Sequence, residues 1–150
     1  MVHVISSNHA CNEVDMSLRL SDEQQSFVDT VRDFCNKNCG TREQRLALTD
    51  GGGEANSPQI AAKLAELGWL GLSIPEEYGG SGAGLFDAIL FVEAMSRGRA
   101  PMPSYPVSLI VAHSYLRFAS EDVKKEVLAG VVAGTPTSMM RGWPSNSSSA

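Results

Sequence analysis

Long apolar runs are missing from this sequence. No segment approaches the ~20 consecutive apolar residues that cross a bilayer as a helix, so no membrane span is expected. Clusters of positive charge are missing as well. The 12 Lys and Arg residues are scattered among 17 Asp and Glu, for a net charge of −5, whereas a phosphate backbone needs a concentrated basic patch. Nucleic acid is therefore excluded as a main partner. The opening "MVHVISSNHACNEVD" has no basic segment followed by an apolar one, so no secretory leader is expected and the chain reads as cytoplasmic. Cysteine is scarce and odd in number: Cys11, Cys35 and Cys39. The last two fall four apart on an expected helix, but no second Cys or His pair follows at zinc spacing, so no metal site is expected. They read as reduced thiols, at least one of them in the core. Strand-like alternation beyond a few residues is absent, and so are internal repeats.

What is present is helical. "SDEQQSFVDTVRDFCNKNCG" opens on a capping box of Ser21 and Gln24, and Asp22 and Glu23 complement the dipole of its first turn. Phe27, Val31, Phe34 and Cys35 then recur at helical spacing and give one buried stripe, and Gly40 closes the segment. "TREQRLAL" is weakly helical, and the three successive glycines of "TDGGGEANS" predict a flexible surface loop. Ser57 and Pro58 start the next helix, with Ile60, Leu64 and Leu67 facing inward. "WLGLSIP" is a short apolar segment expected to be buried.

"LFDAILFVEAMSRG" is apolar nearly all round. Leu85, Ile89 and Val92 share one face and Phe86, Leu90 and Phe91 cover others, which predicts a central helix contacted on several sides. Glu93 and Arg97 are spaced for a local ion pair. Prolines delay the following helix to about Pro106, after which Val107, Ile110, Val111 and Leu116 are its apolar positions. Ser120 caps a last helix on which Val123, Val127 and Val131 share a face. The expected architecture is all-α, an antiparallel bundle of five or six helices, with helices near 21–38, 58–67, 84–97, 105–118 and 121–132. A chain of this size buries roughly 68–70% of its unfolded surface in one domain.

"IPEEYGGSGAG", residues 74–84, has four glycines in its last six positions. A dinucleotide fingerprint would need glycine where Leu85 stands, and a phosphate loop would need Lys-Ser/Thr where Leu85 and Phe86 stand. A nucleophile elbow would need glycine at Ala83. Glu76 and Glu77 are adjacent and cannot both face one site, and His113 is a lone histidine on an apolar helix, which reads as a satisfied core residue. The loop reads as a bend used for its backbone angles, with Pro75, Tyr78, Gly79, Gly80 and Gly82 as its structural residues.

"LAELGWLGLSIPEEYGGSGAGLFDAILFVEAMSRG" resembles the N-terminal α-helical domain of acyl-CoA dehydrogenases. It carries that family's run from LG-[WL]-LG through [IV]-PE-[EQ]-[YF]-GG-x-G into an apolar helix. The likeness extends more loosely over residues 17–138, leaving 1–16 as a flexible extension and 139–150 as a disordered tail. The resemblance implies an oxidoreductase of fatty acid metabolism that uses FAD to dehydrogenate acyl-CoA thioesters between Cα and Cβ. An electron-transfer flavoprotein reoxidises the flavin in that family. The helical domain there supplies one wall of the acyl cavity, which by resemblance places Tyr105, Val107 and Ser108 at the end of the acyl channel. The alternative keeps Val107 as core and Tyr105 as a helix-start residue.

After "AGTPTS" the family continues into a strand of the type A-x-[ST]-E-P-x-x-G-S-D, whereas this chain reads "MMRGWPSNSSSA". No acidic residue follows Glu126. No catalytic residue is therefore assigned, and the expectation is a chain that is incomplete, inactive and free of FAD on its own. Apolar surface around Phe86, Leu90 and Phe91 is expected to be uncovered and to favour self-association. Rival readings are a non-catalytic interaction module, a subunit of a split enzyme that forms a homo- or hetero-oligomer with an acyl-CoA dehydrogenase subunit, and the remnant of a disrupted gene.

Overall fold

A computed structural model describes residues 19–134, and the expectations for residues 1–16, for Cys11 and for the tail after residue 138 lie outside them. Among the described residues there are six α-helices and no strand. They are α1 (Asp22–Cys39), α2 (Arg42–Leu48), α3 (Pro58–Glu66), α4 (Leu85–Arg97), α5 (Tyr105–Phe118) and α6 (Glu121–Val132). Single 3-10 turns at Asp50–Gly52, Trp69–Gly71 and Glu76–Tyr78 join them. The fold class is all-α, as the periodicity predicted.

The helix starts follow from side-chain chemistry. Ser21 Oγ accepts from Gln24 N at 3.1 Å while Gln24 Oε1 accepts from Ser21 N at 3.1 Å, so two otherwise orphaned amides are satisfied. Thr41 and Gln44 repeat the device at the start of α2, at 3.2 and 3.0 Å, which makes the weakly helical segment a full element. Ser57, fully buried, accepts from Ile60 N at 3.2 Å. Ser120 does not act as expected: its backbone is extended, but its side chain makes no capping bond. The glycine run after α2 takes the shape of a tight turn, with Gly51 and Gly52 at φ 68° and 97°, angles that glycine adopts at no steric cost.

Packing divides the molecule into two pairs. α1 lies along α4 and α5 lies along α6, while α3 and α6 both rest on the Trp69–Gly71 turn. The larger core cluster is organised by Trp69, whose ring meets Phe34, Phe27 and Phe91 edge-on at 5.5, 5.8 and 5.8 Å. Phe91 also stands edge-on to Tyr105 at 5.2 Å, a geometry that aromatic quadrupoles favour. A smaller cluster joins Ile74 and Tyr78 to Ala112, Leu128 and Val131.

Several stripes are rotated from their expected positions. Leu67, placed inward by periodicity, is 50% exposed, because α3 ends at Glu66 and the chain turns at Gly68, φ 72°. On α6 the buried residues are Leu128 and Val131, and Val123 is exposed. The larger correction concerns α4. It is covered by α1 on one side, but Leu85, Phe86 and Ile89 are more than half exposed while Leu90 and Phe91 are buried. The uncovered patch is therefore not the expected Phe86, Leu90 and Phe91. The exposed large apolar residues of α4 are Leu85, Phe86 and Ile89, and those of α5 are Val107, Ile110 and Phe118. The cause is that α5 leans on α6, which leaves α4 open along one flank.

Candidate functional site

The glycine-rich stretch is a closed structural bend. From Gly79 to Ala83 the five consecutive amides donate to the carbonyls of Glu76, Pro75, Gly71, Ile74 and Leu72 at 2.8–3.2 Å. The next amide, Gly84 N, donates to Asp87 Oδ2 at 3.2 Å. Gly79 and Gly82 take positive φ, 87° and 64°, and Gly80 sits so close to the preceding turn that a Cβ there would lie 2.1 Å from Ile74 O. Pro75 N-caps the single turn Glu76–Tyr78 that enters the bend. A phosphate cradle needs amides pointing at the ligand, and these have all been used inside the fold. The phosphates of the implied flavin find no fit in this loop.

Tyr78 ties the bend to α6. Its hydroxyl donates to Glu121 Oε2 at 2.8 Å, and that carboxylate pushes the Tyr78 phenol up to about 12. Glu121 is held below the usual carboxylate range, first by its bond from Lys124 and then by that from Tyr78. Folded Tyr78 holds its proton more tightly than a free phenol near 10.0, so its stabilisation is fully present below about pH 10 and disappears as pH rises through about 12. The Glu121 contribution runs the other way: it is present above the ordinary glutamate value and is lost as pH falls through the depressed one. Tyr78→Phe should therefore melt below the parent chain at neutral pH, and the gap in Tm should close between about pH 10 and 12. Thermal melts across that range check it; a gap that stays constant would show that the phenol proton is not what holds the bond.

The other chemical candidates are quiet. His113 Nε2 lies 2.9 Å from Ser73 Oγ, and Ser73 is buried, so the histidine is a satisfied side chain. Cys35 and Cys39 are buried free thiols, and the Cys39 sulfur one turn away, together with burial, pushes the Cys35 thiol up. Among the described residues no group of His, Cys, Asp or Glu is arranged to hold a metal ion, and no helix is long and apolar enough to cross a membrane. The exposed pair of Glu93 and Arg97 forms as spaced, at 2.7 Å.

The opening with room for a ligand lies between α4 and α5. It is a groove of about 840 Å³ whose floor and walls include Leu85, Ala88, Ile89 and Val92 from α4 and Pro106, Leu109 and Ile110 from α5. Farther along α5, His113, Ser114 and Arg117 line it together with Leu116 and Phe118, so polar groups alternate with apolar ones there. Arg117 Cζ stands 5.5 Å from the Phe118 ring. A second, smaller cavity of about 150 Å³ lies beyond, lined by Phe91, Met95, Met102 and Tyr105 among others. Val92 and Pro106 line both.

Of the three residues expected at an acyl channel, Tyr105 lines the smaller cavity and Val107 and Ser108 line neither opening. Tyr105 is buried, its hydroxyl donating to Trp69 O at 3.2 Å, and desolvation raises its pKa well above the phenol range. Val107 is 54% exposed, so it is not a core residue. Ser108 Oγ donates to Ser104 O at 3.2 Å within its own helix. Val92 and Pro106, which meet both spaces, are named in the sequence reading only as an apolar face position and a helix start, not as site residues.

The family model described as "Acyl-CoA dehydrogenase, N-terminal domain" matches residues 21–135. A Bacillus subtilis protein described as "Probable acyl-CoA dehydrogenase YngJ" is 32% identical over 122 residues, 80% of this chain and 31% of its own length. The mitochondrial isovaleryl-CoA dehydrogenase of Pongo abelii is 29% identical over 130 residues, 84% of this chain and 30% of its own length. Among solved structures, the ChsE4–ChsE5 complex from Mycobacterium tuberculosis matches with a TM-score of 0.65 and 24% identity, over 81% of this chain and 30% of that one. The chain thus spans less than a third of the length of these relatives. Helix order, the glycine bend entering α4 and the match across residues 21–135 agree that the chain belongs to the acyl-CoA dehydrogenase family, through its N-terminal domain.

Proposed function

We propose that these residues form the acyl-chain wall of an FAD-dependent acyl-CoA dehydrogenase that introduces a double bond between Cα and Cβ of an acyl-CoA thioester. The observation that carries the reading is the groove between α4 and α5, mostly apolar and open to solvent. Apolar walls suit a saturated chain, because each methylene removed from water contributes about 0.8 kcal/mol. The described residues provide shape without a base: Glu76 and Glu77 are exposed on the bend, away from the groove lining. Proton abstraction and the flavin contacts are therefore assigned to domains of the family that these 150 residues do not span, and the chain alone is expected to be colourless and inactive.

The exposed apolar side chains of α4 and α5, among them Leu85, Ile89, Ile110 and Phe118, favour a companion reading, in which these helices seat against those domains or against a second acyl-CoA dehydrogenase subunit. The likeness to a structure described as a complex supports assembly with a partner polypeptide. An electron-transfer flavoprotein is the acceptor the family implies.

The test is domain replacement. Residues 21–135 are put in place of the matching segment of YngJ, and the flavin spectrum is followed while acyl-CoA is added. The expected result is a yellow protein bleached by substrate under anaerobic conditions. A folded, soluble chimera that holds flavin but is not bleached by acyl-CoA of any chain length would overturn the reading.

A further inference from the structure

We propose that Cys35, Cys39 and Met95 form a buried three-sulfur site for a soft monovalent metal ion, Cu(I), between the last turns of α1 and α4. The sequence shows only part of it: two cysteines four apart, with no second Cys or His pair at zinc spacing. The fold brings the third donor from 60 residues away, since Cys35 Sγ stands 3.7 Å from Met95 Sδ. Cys39 lies one helical turn beyond Cys35, and its thiol donates to Gly98 O at 3.8 Å. Gly98 adjoins both thiols, because a Cβ there would lie 2.6 Å from Cys35 Sγ. Its φ of −73° is open to any residue, so what glycine supplies there is room beside the sulfurs.

The donor set selects the metal. Thiolate and thioether ligands favour Cu(I), whereas structural zinc takes four ligands and iron–sulfur clusters four cysteines. Three sulfurs bound to one metal at about 2.3 Å in a trigonal plane stand about 4 Å apart, close to the 3.7 Å already present between Cys35 and Met95. Binding replaces two S–H bonds by two metal–sulfur bonds and releases two protons, while the thioether adds a third bond with no proton to lose. The filled site carries one net negative charge. Arg45 offsets it from close by: its Nη1 donates to Cys39 O and Gly40 O at 2.8 and 2.9 Å. Cys35, Cys39 and Met95 are all buried, but Cys39 ends α1 and Gly98 caps α4. Entry therefore needs only helix ends to open, the parts of a fold that open at least cost.

The reduced full chain is titrated anaerobically with Cu(I) in competition with bicinchoninate, while proton release and far-UV circular dichroism are followed. One Cu(I) should bind per chain, with about two protons released and helical content unchanged. Met95→Leu conserves side-chain volume and should weaken Cu(I) binding about tenfold or more, as loss of even a supporting group does at metal sites. Cys39→Ser should weaken it further still. Cys11→Ser should leave it unchanged, since Cys11 is the one other thiol of the chain. If Cys39→Ser does not fold, Met95→Leu carries the test. The site is overturned by a chain that takes no Cu(I) from the competitor, by equal affinity in Met95→Leu and the parent, by loss of binding in Cys11→Ser, or by helix lost on adding the metal.

Discussion

Replacing Gly80 by alanine should unfold most of the molecule. A Cβ at this position would lie 2.1 Å from Ile74 O, 2.5 Å from Ile74 Cβ and 2.6 Å from Gly71 O. Two of these are backbone atoms, which cannot rotate away as a side chain does. Making room requires opening the bend, and with it the bonds from Ser81 N to Gly71 O and from Gly82 N to Ile74 O. A loss of about 3 kcal/mol or more is expected, at the upper end for overpacking. Set against a typical folding free energy of about 5–15 kcal/mol, that leaves little. Gly79→Ala is the comparison. Its φ of 87° is strained for alanine, but its Cβ would meet nothing within 4 Å, so the cost should be only about 1–2 kcal/mol. Urea midpoints rank the two; equal losses would show that the close approach at Gly80 is not what the bend depends on.

Phe91→Ala should cost about 3–5 kcal/mol, the range for a large aromatic removed from a core. The ring is fully buried and is shared by Trp69, Tyr105 and Phe27 at 5.8, 5.2 and 6.4 Å. Its removal therefore loosens the contact of α4 with α1 and α5 together and should also change Trp69 fluorescence. Phe86, five residues earlier on the same helix, is 52% exposed, and Phe86→Ala should change stability by no more than about 0.5 kcal/mol. The pair separates burial from residue type. Similar losses for both would mean that α4 is covered on the flank described here as open.

The difference between Phe91 and Phe86 marks what the sequence could and could not tell. Helix starts were legible because they depend on residues three apart: Ser21 with Gln24, Ser57 with Ile60 N. The bounds of α5 and α6 fall where the sequence placed them, although neither Ser104 nor Ser120 makes a side-chain capping bond. α2 carries an equally good capping box, but at seven residues with none buried it has no stripe to read. Periodicity finds the apolar face of a helix and not the neighbour that covers it. Phe86 and Phe91 both lie in an apolar segment, and only the decision of α5 to pack on α6 leaves one of them uncovered.

The groove was hidden by the same non-local choice. Its two walls are separated in the chain by the proline-bounded link, and nothing in either helix announces the width of the gap. After the link, Pro106 lines both openings and Tyr105 the smaller one. Val107 and Ser108 follow immediately in sequence, but successive residues on a helix point about 100° apart, and they turn away from both openings. The glycine bend was legible as a bend because no chemical motif is completed there. Where its amides go, and that the loop therefore has none left for a phosphate, required the fold.

Whether the groove between α4 and α5 receives an acyl chain is tested most directly by cross-linking. A saturated acyl-CoA carrying a diazirine at the chain terminus is irradiated with the full chain, and the adducts are located by mass spectrometry. Modification is expected within α4 and α5 among the groove-lining residues, suppressed by excess unlabelled acyl-CoA of the same length. Adducts distributed over α1, α2 and α6, or adducts on α4 and α5 that unlabelled acyl-CoA does not suppress, would contradict it.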